Sequence, residues 1–269
     1  MVKDVIIGIN ESGADVPESP DPGISELFLD TYVLALYGGV ITMHNLSLEL
    51  YLSVGEYLNE ALRRGFVDFD DIHNIELFEA LRANVWHFSA AKQYQQNRTI
   101  LQSFVAPLEE ISFEEFKPVA DQILANYNQN WLRTEWNTAM AESQAAREWN
   151  NLINDDQVEM IEYQTQEDGR VRHEHAMLNG AIYPKGHSFW NSYFPPNGFN
   201  CRCFTVSHDN EAKQKTIKNP PEFGTPEMPK VFDTNPAKDR IIFPNSHPYF
   251  RVAQGDKVFR EANYGLPII

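Results

Sequence analysis

The chain of 269 residues has only two cysteines, Cys201 and Cys203, so no disulfide framework staples it and its stability must come from a packed core. A bridge between these two would close a very small, strained ring and constrain almost no chain entropy, so both read as thiols. Long apolar runs are missing as well. No stretch approaches the ~18 uninterrupted apolar residues that cross a bilayer, and the opening MVKDVIIGIN lacks the apolar length and small-residue cleavage site of a secretory signal. No membrane partner is expected, and synthesis in a cytoplasm is. Positive charge is scarce: 22 Lys and Arg stand against 38 Asp and Glu, a net charge of -16. Wrapping nucleic acid needs clustered cations that release counterions. The local concentrations are Arg63-Arg64 and Lys213, Lys215 and Lys218. General DNA binding is therefore disfavoured, and any DNA contact is expected to be local.

What is present is an ordinary globular composition, 42% hydrophobic and 12% aromatic, with length enough for one large domain or two modest ones. Residues 1–24 are rich in Pro, Asp, Glu, Gly and Ser and read as a mobile acidic arm. From 25 to 155 the patterning is helical. Ser25 is placed to cap a helix that Gly38-Gly39 would end. A second helix starts near Ser47, with Leu50, Val54, Leu58 and Leu62 on one face, Arg63 and Arg64 at its C-terminal end and Gly65 as terminator. A third apolar stripe runs from about Ile75 to Leu101. Ser112 and Glu115 have capping-box spacing, with Ile111 and Phe116 as the hydrophobic staple. Pro118 predicts a kink or break just beyond them. Val119, Ile123, Tyr127 and Trp131 continue the stripe, and Trp136, Met140 and Trp149 extend it to about Asn150.

The character changes after Asn154-Asp155. Residues 158–165 are β-prone and run into the turn signal Asp168-Gly169. The expected fold is α+β: a helical domain at 25–155, a small mixed module at 156–208, and an irregular, Pro- and Lys-rich strap at 209–269.

The module is dense in groups that bind metals. His173, His175, His187, Cys201, Cys203 and His208 all offer N or S donors of the kind zinc prefers. Two thiolates on one zinc ion stand under ~4 Å apart, whereas alternate residues of a regular strand are roughly 6.6 Å apart at the backbone. A C-x-C pair converges only where the backbone bends. If residues 173–180 form a short helix stopped at Asn179-Gly180, His173 and His175 face different ways and His175 is the better ligand. One reading is a zinc site of His175, Cys201, Cys203 and one further donor. The other is a reduced cysteine pair packed in a small core, with His175 hydrogen-bonded to backbone or to Asp168. Pro195-Pro196-Asn197-Gly198 fixes a turn that delivers the cysteines to a set position.

Enzyme motifs fail residue by residue. His173-Glu174 begins like H-E-x-x-H, but Met177 stands where the second histidine belongs. The H-x-E and P-C-x-x-C pair of zinc deaminases is absent, as are a phosphate-cradling glycine loop and a G-x-S-x-G elbow. Asp70-Asp71 and Asp155-Asp156 read as solvated loop charges.

One pattern remains. Asp168, Arg170, Arg172, His175, Leu178 or Met177, and Gly180, then Trp190, then Pro195, Pro196, Cys201, Arg202 and Cys203, resemble the C-terminal motif of the phage Mu F-like head morphogenesis family of minor capsid proteins. Residues 84–96 and 131–149 look like the helical portion of the same family, so the likeness covers roughly 45–208. In the family pattern the position of His173 is commonly not histidine, which agrees with favouring His175. The resemblance implies a non-enzymatic virion component of a tailed phage or prophage head, made in a bacterial cytoplasm. It would act at the portal vertex in procapsid assembly and DNA packaging. The implied partners are the portal protein and scaffold or major capsid protein. The rival expectation is a metal-dependent, nuclease-like effector enzyme using the His/Cys segment.

Overall fold

The computed structural model describes residues 19–67, 72–208 and 226–269. Most of the acidic arm, Asp70-Asp71 and Lys213, Lys215 and Lys218 lie outside the described residues. The fold is α+β, mostly helical with one small antiparallel sheet. Contacts divide the chain into two compact units. One holds the described residues of 62–81 and 137–244; the other holds 19–61, 82–136 and 245–269.

In the second unit, α1 (Glu26–Tyr37) starts where Ser25 stays extended and its side chain accepts from the Phe28 N–H, satisfying one of the orphan donors of the first turn. Helix α2 (Leu48–Phe66) buries Leu50, Val54 and Leu58 within this unit, as their four-residue spacing predicts. Helix α3 (Ile72–Leu101) covers the third stripe. Helix α4 (Phe113–Ala125) opens on the expected capping box: Ser112 Oγ accepts from Glu115 N–H, and the Glu115 carboxylate accepts from Ser112 N–H at 3.0 Å.

Pro118 does not end α4. It sits in the second turn, and both it and Glu114, whose carbonyl loses a donor, are exposed, so water can replace the missing bond. The irregularity comes later, as a π-helical turn at Asn126–Trp131 ahead of α5 (Leu132–Asn154). Residues 245–269 pack within the same unit, burying Tyr249, Phe250 and Tyr264.

In the first unit, Gly65 does not terminate α2 either; the helix runs to Phe66. A Cβ on Gly65 would stand 2.3 Å from the Met140 carbonyl oxygen and 1.9 Å from Ser143 Oγ, so the glycine permits close approach of backbone to backbone. Strands β1 (Met160–Gln164), β2 (Ala181–Pro184) and β3 (Phe204–His208) form a sheet in the order β2-β1-β3, antiparallel throughout. Pairing sets Tyr163 opposite Ala181 on one side and Thr205 on the other. Ile161 and Tyr163 are fully buried, in a core they share with Trp149, Leu178, Trp190, Phe194 and Cys203.

Candidate functional site

The site grows from two bends that flank the sheet. The first is α6 (His173–Ala176), one helical turn entered from extended Arg172. Because these residues are helical, the two histidines diverge: His175 is 2% exposed and His173 faces solvent. Gly180 ends the segment at φ 76, a left-handed conformation that glycine adopts without strain, and its N–H donates to the Tyr163 carbonyl at 2.8 Å. That bond ties the histidine-bearing turn to β1.

The second bend carries the cysteines. Pro195-Pro196 is a cis peptide, and the buried Asn197 amide donates to the carbonyls of Ser192 (3.2 Å) and Phe194 (3.4 Å). Cys201 N–H closes onto the Gly198 carbonyl at 3.1 Å, and Asn200 turns through φ 55. Strand β3 begins only at Phe204. The C-x-C pair therefore lies in bent chain, the condition its convergence required. Arg172 joins the two bends by donating from Nη2 to the Phe199 carbonyl at 2.6 Å. A Cβ at Gly198 would lie 2.9 Å from Arg172 Nη1, so the glycine lets the guanidinium lie close against the bend.

The outcome is a cluster of three donors. His175 Nδ1 lies 3.5 Å from Cys201 Sγ and 3.5 Å from Cys203 Sγ, and all three ligating atoms fall within 4.8 Å of one another. The other candidates are used elsewhere. His187 caps a short turn by accepting from Phe189 N–H at 3.1 Å. His208 pairs with Glu162 at 2.8 Å. Asp168 does not hold His175: its carboxylate accepts from Arg202 at 2.7 Å and lies 3.6 Å from Arg170 Nε. Hydrogen bonding from Arg202 holds that carboxyl down at about 2. Trp190, fully buried, donates from Nε1 to the Pro184 carbonyl at 3.1 Å.

The hydrogen bond shared with Cys203 pulls the Cys201 thiol well below its ordinary range, and His175 adds to the effect; Cys203 is pushed up by the same sharing and by burial. Two groups near the cluster were not legible as site residues. Burial pushes the Tyr163 phenol up, its oxygen has no hydrogen-bond partner of good geometry, and it lies beside the thiols. Glu142 on α5 is buried, accepts no hydrogen bond among the described residues, and is pushed well above the carboxylate range by burial and by the charge of Cys201. The available signal was register: Glu142 stands seven residues before the core residue Trp149, on one face of the helix.

A cleft beside the cluster, lined by Arg170, Arg172 and Arg202 as well as the three donors, encloses about 20 Å³. That is room for one water-sized ligand. Nitrogen and sulfur donors suit a soft or borderline metal ion.

Comparison with known proteins agrees with the motif. Residues 89–206, a little under half of the chain, match the family described as Phage Mu protein F like protein. The likeness read from residue 45 onward is thus matched from residue 89. Protein F of Escherichia phage Mu, a protein named for capsid assembly, is 50% identical over 36 residues, which are 13% of this chain and 8% of that protein. No solved structure matches the chain. No helix among the described residues is long and apolar enough to cross a membrane. The three-donor cluster and the bends that build it fall within residues 89–206, the part of the chain that is similar to the phage Mu protein F like family.

Proposed function

We propose that the chain is a head-morphogenesis protein of a tailed phage or prophage, a minor capsid component. It acts through protein contacts at the portal vertex during procapsid assembly and DNA packaging. The observation that carries this reading is the match of residues 89–206, which includes the whole motif around His175, Cys201 and Cys203, to the phage Mu protein F like family. The capsid-assembly name of the phage Mu relative supports it. The charge supports contact with proteins over wrapping of DNA, because a chain of net charge -16 gains little from counterion release.

The test is co-expression with the portal, scaffold and major capsid proteins encoded beside it. Stable co-purification with the portal protein, and aberrant or empty heads by electron microscopy when the gene is deleted, are the expected results. Wild-type, filled heads after deletion would overturn the reading. Metal-dependent cleavage of DNA or RNA by the purified chain would favour the nuclease-like rival.

A further inference from the structure

The His/Cys cluster is not absorbed by an assembly role, and its geometry points to a ligand. Bonds of 2.3 Å to sulfur and about 2.05 Å to nitrogen, arranged tetrahedrally, put a sulfur and a nitrogen donor about 3.6 Å apart. Both His175–Cys separations are 3.5 Å. One Nδ1 position carries at most one proton or one lone pair, so it serves one sulfur at a time. A metal ion at the centre engages all three atoms at once.

The donors are also held from outside the cluster. The His175 turn is pinned through Gly180 to β1, and the cysteine bend is pinned through Asn197 and through Arg172 to Phe199. A cluster positioned by groups that are not its ligands is pre-organised for what it binds.

We propose that His175 Nδ1, Cys201 Sγ and Cys203 Sγ hold one zinc ion per chain, which clasps the α6 turn to the bend before β3. Zinc is the metal of choice because the donor set is one imidazole and two thiolates; hard cations prefer oxygen. The ion would tie two segments together, because its donors come from the α6 turn and from the bend before β3, and His175 and Cys203 are nearly fully buried.

The experiment uses the full chain, purified under reducing conditions without chelator. Elemental analysis is expected to return one zinc per chain. After stripping, cobalt(II) titration is expected to give a thiolate-to-cobalt absorption band that saturates at one equivalent and is displaced by zinc. Cys201→Ser, Cys203→Ser and His175→Asn should each weaken zinc binding by more than the roughly 10–100-fold that loss of an outer-shell partner costs. The wild-type cobalt titration decides the matter even where a variant fails to fold. Absence of zinc together with no thiolate–cobalt band overturns the proposal. So does wild-type zinc affinity in the folded His175→Asn chain or in the cysteine double variant. Copper or iron at the same stoichiometry overturns the assignment to zinc.

Discussion

Lys92 and Glu135 form an ion pair inside the second unit, Nζ standing 2.9 Å from Oε1 and 2.8 Å from Oε2, with side chains only 1% and 6% exposed. Tyr249 OH donates to the same carboxylate at 2.8 Å, and the ammonium lies 5.3 and 5.2 Å from the ring centroids of Tyr127 and Tyr249. The pair thus joins α3 and α5 to residues 245–269. Removing one partner strands the other charge out of water. Glu135→Gln is expected to destabilise this unit by about 3–5 kcal/mol in urea unfolding. Replacing all three polar partners (Lys92→Met, Glu135→Met, Tyr249→Phe) should recover most of that loss. A single variant as stable as wild type would remove the pair from any structural role.

Gly65 offers a sharper steric test. Its neighbour at 2.3 Å is backbone, the Met140 carbonyl, which cannot rotate away. Alanine in a helix interior ordinarily gains up to about 1 kcal/mol over glycine. Here overpacking should dominate, and Gly65→Ala is expected to lower stability by about 1–3 kcal/mol. A raised melting temperature would contradict the close approach.

His247 predicts a pH dependence. Burial, with the nearby charges of Lys92 and Arg251 adding to it, holds its imidazole down at about 4 instead of about 6.5. Nδ1 accepts from Tyr249 N–H at 3.3 Å, an interaction the protonated ring cannot make. Between these two values the unfolded chain binds the extra proton and the folded chain does not. The stability contributed by neutral His247 is therefore complete above about 6.5 and is lost as pH falls toward about 4, by up to about 3 kcal/mol. Chemical unfolding at pH 7 and pH 4.5, compared between wild type and His247→Gln, should show a smaller loss in the variant. Equal losses would exclude His247 as the source.

At Ser112 the test is local. The side chain accepts from Glu115 N–H at 3.3 Å, and the Glu115 carboxylate returns a bond to Ser112 N–H at 3.0 Å. Ser112→Ala should cost about 1 kcal/mol by thermal unfolding, and Ser112→Asp should restore most of it. Indistinguishable melting of the alanine variant would mean that the start of α4 is held by packing alone.

Features that depend on a few neighbouring residues were readable from the chain itself: the caps at Ser25 and Ser112, the stripe of Leu50, Val54 and Leu58, the short strand at Met160–Gln164, and the helical turn that sets His175 apart from His173. Each is settled by side-chain spacing and by which backbone groups a near neighbour can satisfy. That His175, Cys201 and Cys203 offer nitrogen and sulfur donors was readable from residue type. Their convergence was not, because His175 and Cys201 are 26 residues apart and meet only when Gly180, Asn197 and Arg172 find partners elsewhere in the fold. Gly65 read as a stop, and Pro118 as a kink or break that does not end the helix, because local propensity knows nothing of the Met140 carbonyl or of the solvent beside Glu114. Periodicity could place Glu142 on the core face of α5, but only tertiary packing sets it near the thiols, since long-range contact leaves no mark within a window of neighbours.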